Sequence, residues 1–183
     1  MKNKKKILEL FGSFLLFITV IISVACIVKY AADHRCLTYE ELPEDAIVFY
    51  IVAGNATEGR RKVWEYDVSG NLYISVYKNK EINDSATEEL ISREIVENNI
   101  SPEEVSQMYK CLLHVNKNAR EDLLSNRGLC TDDYTHYGGT RYLANGETEK
   151  IFVGSGQGGF AQRGLVDSDA REILYWLMAL RYS

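Results

Sequence analysis

Proline is nearly absent from this chain, with two residues in 183. No Ser/Thr/Pro-rich tract is present either, so a long stalk and a low-complexity tail are excluded. Histidine numbers only three and cysteine four, too few for a disulfide-dense scaffold. No internal repeat is found, which removes solenoids and propellers. Basic clusters are also scarce, and beyond the N-terminus the longest run is Arg60-Arg61-Lys62. That run reads as a solvated loop or strand edge. Residues 1–30 hold five Lys and one Glu of the chain's 21 basic and 26 acidic side chains, leaving 16 and 25, a net of −9. Such an acidic remainder argues against nucleic acid and against a polybasic lipid-binding face.

Charge is also missing from one long stretch. From Leu10 to Val28 nineteen consecutive residues carry none. At about 1.5 Å per helical residue, Ile7 to Val28 covers roughly 33 Å, enough for the ~30 Å hydrocarbon core of a bilayer. The run has no polar face, unlike a core helix of a soluble domain. Signal-peptide apolar segments are shorter, about 7–15 residues. Lys2, Lys4, Lys5 and Lys6 precede the span, so the positive-inside rule puts the N-terminus in the cytoplasm and the rest of the chain outside. The leading reading is an uncleaved anchor in the cell membrane. A second reading stays open. Ser23-Val24-Ala25-Cys26 resembles a bacterial lipobox, and the resemblance implies cleavage before Cys26 and attachment of lipid to it. Ser23 departs from the branched aliphatic residue usual there, and the apolar run continues through Ile27 and Val28. Cleavage by an ordinary signal peptidase ranks third, because Tyr30-Ala31-Ala32 sets a bulky residue where a small one is preferred.

Three segments follow: residues 1–30 as anchor or lipoprotein signal, 31–45 as a tether, and 46–183 as one extracytoplasmic domain large enough for its own core. Ala46–Val52 is rich in β-branched and aromatic residues and predicts a central strand. Lys62–Val68 and Leu72–Tyr77 flank Ser69-Gly70-Asn71, a hairpin signal. Leu90–Val96 predicts a further strand. Ser101-Pro102-Glu103-Glu104 has a cap, a proline at the first helical position and the acid of a capping box, followed by an apolar stripe to Val115. Ala119–Asn126 predicts a short helix stopped by Gly128. Asn145-Gly146 marks a second hairpin, and Asp167-Ser168-Asp169 opens a final helix with Ile173, Leu174, Leu177 and Leu180 on one face. The expected fold is α+β: an N-terminal transmembrane helix, then a mainly antiparallel sheet with two principal helices.

The chemistry-bearing groups are few. Gly154-Ser155-Gly156-Gln157-Gly158-Gly159 contains a literal G-x-G-x-x-G, whose use on pyrophosphate needs a βαβ context. No helix start follows until Ser168, so a flexible loop or β-bulge is the better reading, and such a loop can still hold a partner or ligand. Cys111 and Cys130 are the preferred disulfide, with Cys36 left over; closing about twenty residues would contribute roughly 3 kcal/mol. Cys111, His114, Cys130 and His136 lack the usual zinc spacing. Ser155 lacks the G-x-S-x-G of an elbow nucleophile. Asn55, Asn83 and Asn99 head glycosylation sequons. No cofactor or metal is expected. The functional expectation is a non-catalytic, membrane-anchored domain that binds a protein, peptide or envelope component. The alternative is a tethered cysteine hydrolase or thiol enzyme using Cys130 and His136.

Overall fold

The computed structural model describes residues 2–55, 57–82, 85–97, 99–124, 133–157 and 160–182; within these, the side chains of 2–16, 79–82, 85–87, 160–162 and 182 lie outside the description. The chain divides into two units, Met1–Cys36 with Leu143–Glu147, and Leu37–Tyr142 with Thr148–Ser183.

The first unit is built on helix α1 (Lys2–Asp33). Its described apolar side chains, from Phe17 through Val20, Ile21 and Ile22 to Ile27 and Val28, are all exposed. Among the described residues no helix is long and apolar enough to cross a membrane; the first seven residues of the Leu10–Val28 run fall among the side chains outside the description. Below the helix, Cys36 bridges to Leu143, and the Ala144 N–H donates to the Arg35 carbonyl at 3.0 Å.

The second unit is α+β. Its strands are β1 (Ile47–Asn55), β2 (Arg60–Asp67), β3 (Leu72–Ile82), β4 (Ser85–Val96), β5 (Glu121–Leu123), β6 (Asp133–Tyr142), β7 (Thr148–Gln157) and β8 (Phe160–Leu165). They form one antiparallel sheet in the order β4-β3-β2-β1-β6-β7-β8-β5. The apolar β1 is central, as its composition predicts. The sheet's edges are unequal, with twelve residues in β4 and three in β5.

Helices α2 (Pro102–His114) and α3 (Ser168–Tyr182) cover one face. Side chains alternate across a pleated strand, and the set that meets the helices includes Phe49, Ile51, Tyr66, Tyr137, Ile151 and Val153, all almost wholly buried. Val105, Tyr109 and Leu112 of α2, with Ile173, Leu174 and Leu177 of α3, complete that core. Trp176 sets its edge against Phe49, with ring centroids 4.9 Å apart, and its indole N–H donates to Glu104 at 2.6 Å. Arg141 ties α2 to the sheet. Its Nε donates to the Leu112 carbonyl at 2.9 Å, an Nη donates to the Val115 carbonyl, and Glu149 faces it at 3.3 Å. A guanidinium there meets the negative end of the helix dipole.

Two turns follow the sequence signals. Gly70 (φ +80°) and Gly146 (φ +86°) occupy the left-handed region, which glycine enters without steric cost. The helix expected at Ala119–Asn126 is replaced by the edge strand β5, which pairs with β8 through Glu121–Leu165 and Leu123–Arg163; Asn126 and Gly128 lie outside the described residues. Pairing with β8 satisfies backbone groups that a two-turn helix would leave open at both ends.

Candidate functional site

Neither α2 nor α3 packs on the second face of the sheet. Tyrosines and cations fill that place. Tyr50 stands opposite Gly138 and Tyr134 opposite Gly54. A Cβ on Gly54 would come within 2.8 Å of the Tyr134 ring, and one on Gly138 would meet Tyr50. Both rings therefore lie across a neighbouring glycine, which needs no side chain there. Cations rest on three further or shared rings: Arg93 on Tyr73 at 4.9 Å, Arg61 on Tyr77 at 5.0 Å and Lys150 on Tyr50 at 5.8 Å. The aliphatic stems shield the sheet while the charged heads stay wet. Burial raises the Tyr50 phenol above its ordinary value, so the ring is neutral at physiological pH.

His136 stands between Tyr134 and Phe152, with ring centroids 5.4 and 6.1 Å away. Its register partner on β7 is Ser155. Beside them opens a hollow of about 320 Å³ lined by Tyr134, His136, Ser155, Gly156, Gln157 and Arg163. His136 and Arg163 are exposed, and the other four are partly or fully buried. Hydroxyl, imidazole, amide and guanidinium converge there, a set made for hydrogen bonding to a polar ligand. Ser155 and His136 face each other without a hydrogen bond between them, so the pair is not assembled as nucleophile and base.

No family model, no curated protein and no solved structure matches the chain. The reading of this face therefore rests on its geometry.

The glycine-rich stretch is a strand rather than a free loop. Gly154, Ser155, Gly156 and Gln157 belong to β7, with register shifts against β6 and against β8; Gly158 and Gly159 lie outside the described residues. Gly154 faces the helices, where a Cβ would approach Leu174 within 2.7 Å. The following element is the antiparallel strand β8, so the βαβ setting of a dinucleotide fingerprint is absent here. Alternation then sends Ser155 and Gln157 towards the hollow. Sequence reasoning found this stretch and took Tyr134 as an aromatic anchor of a polar loop, where the structure has strand β6; it missed Phe152 and Arg163, which only the cross-strand register brings here.

Cys26 is exposed on α1, while Cys36 and Cys111 are partly buried, and all three are free thiols. Cys130 lies outside the described residues, and with it the Cys111–Cys130 pairing and the Cys130–His136 dyad. Cys111 sits with Asp169 and Glu172, their ligand-capable atoms within 4.8 Å of one another. Burial first, then the Glu172 and Asp169 carboxylates, push its thiol pKa up, which holds it protonated and weakly nucleophilic. His114 is exposed at the end of α2. Asn55 is engaged: its amide donates to Asp133 Oδ1 at 2.7 Å, and its Oδ1 accepts from the Glu58 N–H at 2.9 Å. Asn83 lies outside the described residues, and Asn99 is exposed.

Proposed function

We propose that this chain is a membrane-anchored, extracytoplasmic binding protein without catalytic activity, and that it receives a protein, peptide or envelope component on the helix-free face of its sheet. One observation carries the reading: a sheet face paved with Tyr50, Tyr73, Tyr77, Tyr134 and Phe152 holds a polar hollow at His136, Ser155, Gln157 and Arg163. Aromatic rings supply contact area at low entropic cost, and Arg and Tyr are the side chains that dominate binding hot spots. The location rests on the charge-free run Leu10–Val28, on its helical continuity through α1, and on the exposure of its described apolar side chains. The lysines ahead of the run favour an N-in, C-out orientation.

Site-directed photo-cross-linking in the producing cell tests the binding face. A photoreactive side chain at His136 or at Arg163 is expected to give adducts that the same label at Gln107, exposed on α2, does not. Equal adducts at Gln107, or none at either face position, would sink the reading.

A further inference from the structure

A second cavity, of about 530 Å³, opens on the helix side of the sheet around the end of α3. The short basic run Arg60-Arg61-Lys62, which the sequence offers only as a solvated strand edge, forms part of its wall. Lys62 and Arg181 converge on the Trp64 ring, with Lys62 Nζ 4.7 Å and the Arg181 guanidinium carbon 5.7 Å from its centroid. Arg181 is held in place from below, as its Nη1 donates to Thr135 Oγ1 at 2.7 Å and to the Tyr137 hydroxyl at 3.4 Å. Arg60 stands at the mouth, exposed. Arg61 is answered locally by Glu88 at 2.5 Å. Asp133 is the only carboxylate among the described lining residues, and its Oδ1 accepts from Asn55 at 2.7 Å.

Among the described residues four cations thus line one cavity, one of them (Arg61) paired with Glu88, against a single, already engaged carboxylate, on a domain whose acidic side chains outnumber its basic ones. We infer that the cavity is an oxyanion site for a small molecule carrying two or more phosphate or carboxylate groups. Lys62 acts as a mobile point charge, while Arg181 presents a guanidinium fixed by Thr135 and Tyr137, which suits two-pronged recognition of a planar or tetrahedral oxyanion. Arg60, exposed among the lining residues, adds a further charge-assisted contact to the ligand. The Trp64 ring gives both cations an apolar floor and reports on the site through its fluorescence. This inference is argued from Arg60, Lys62 and Arg181, none of which lines the partner-binding hollow, although Tyr134 lines both cavities.

The test uses the full chain in detergent, titrated with pyrophosphate, with citrate and with sucrose as a neutral control, read by calorimetry and by tryptophan emission. Saturable binding of at least one anion and none of sucrose is expected. Lys62→Gln and Arg60→Gln should each weaken it about tenfold, the order expected for loss of one charge-assisted contact, while Lys62→Arg should retain it. Preference for pyrophosphate assigns a phosphoryl ligand, and preference for citrate a carboxylate one; either supports the site. Absence of saturable binding for both anions, or unchanged affinity in Lys62→Gln and Arg60→Gln, would overturn it. Lys62 and Arg60 are exposed, so both variants are expected to fold, with circular dichroism as the check.

Discussion

At the scale of single residues, Asp67 shows how a buried carboxylate is satisfied. Asp67, 2% exposed, accepts four hydrogen bonds from the turn it closes: the Ser69 and Asn71 N–H groups at 2.9 Å, the Asn71 amide at 2.8 Å and the Tyr73 hydroxyl at 3.1 Å. That bond is the largest cause of the raised Tyr73 pKa. Tyr66 shows the cost of burial most clearly, its pKa pushed from 10.0 up to about 12 by desolvation. The folded state therefore keeps a proton that the unfolded chain gives up near pH 10. The associated stability is fully present below pH 10 and is lost as pH rises towards 12, with a limiting slope of about 1.4 kcal/mol per pH unit. In urea unfolding from pH 9 to 12, Tyr66→Phe is expected to flatten that decline. An unchanged slope would show that Tyr66 does not ionise on unfolding in this range.

At the scale of elements, signals carried by a local backbone requirement were legible. Ser69-Gly70-Asn71 and Asn145-Gly146 named their turns because left-handed φ at Gly70 and Gly146 is a local demand. Ser101 caps α2 as its sequence foretells, accepting from the Glu104 N–H at 3.2 Å. The carboxylate of Glu104 instead takes the indole N–H of Trp176, a partner 72 residues away that no local pattern contains. Ser101→Ala should cost about 1 kcal/mol, read as a lower denaturation midpoint with an unchanged m-value; a change below a few tenths would mean that the cap contributes little. Elements defined by a partner strand were not legible. The three-residue β5 exists through its pairing with β8, so helical propensity over Ala119–Asn126 pointed the wrong way. The hollow at His136 was half legible: the glycine-rich stretch was visible, but the cross-strand register that sets Ser155 opposite His136 was not.

For the whole molecule, the proposed address rests on the N-terminal helix and the proposed task on the sheet. Intact-mass measurement of protein extracted from membranes separates the two anchoring modes. An unprocessed N-terminus is expected, and a chain that begins at a diacylated Cys26 would replace the spanning anchor with a lipid one. The α+β class and the central place of β1 followed from composition and alternation, because a mostly apolar β-branched run needs cover on both flanks. The inequality of the sheet's edges has a further consequence. β5 offers three residues to a newcomer, whereas β4 offers twelve and exposes Leu90, Ile91 and Ile95. Among the described strands β4 is therefore the seam along which another chain can be templated. The exposed charges Glu88, Glu89, Arg93 and Glu94 act there as gatekeepers against stacking into cross-β fibrils.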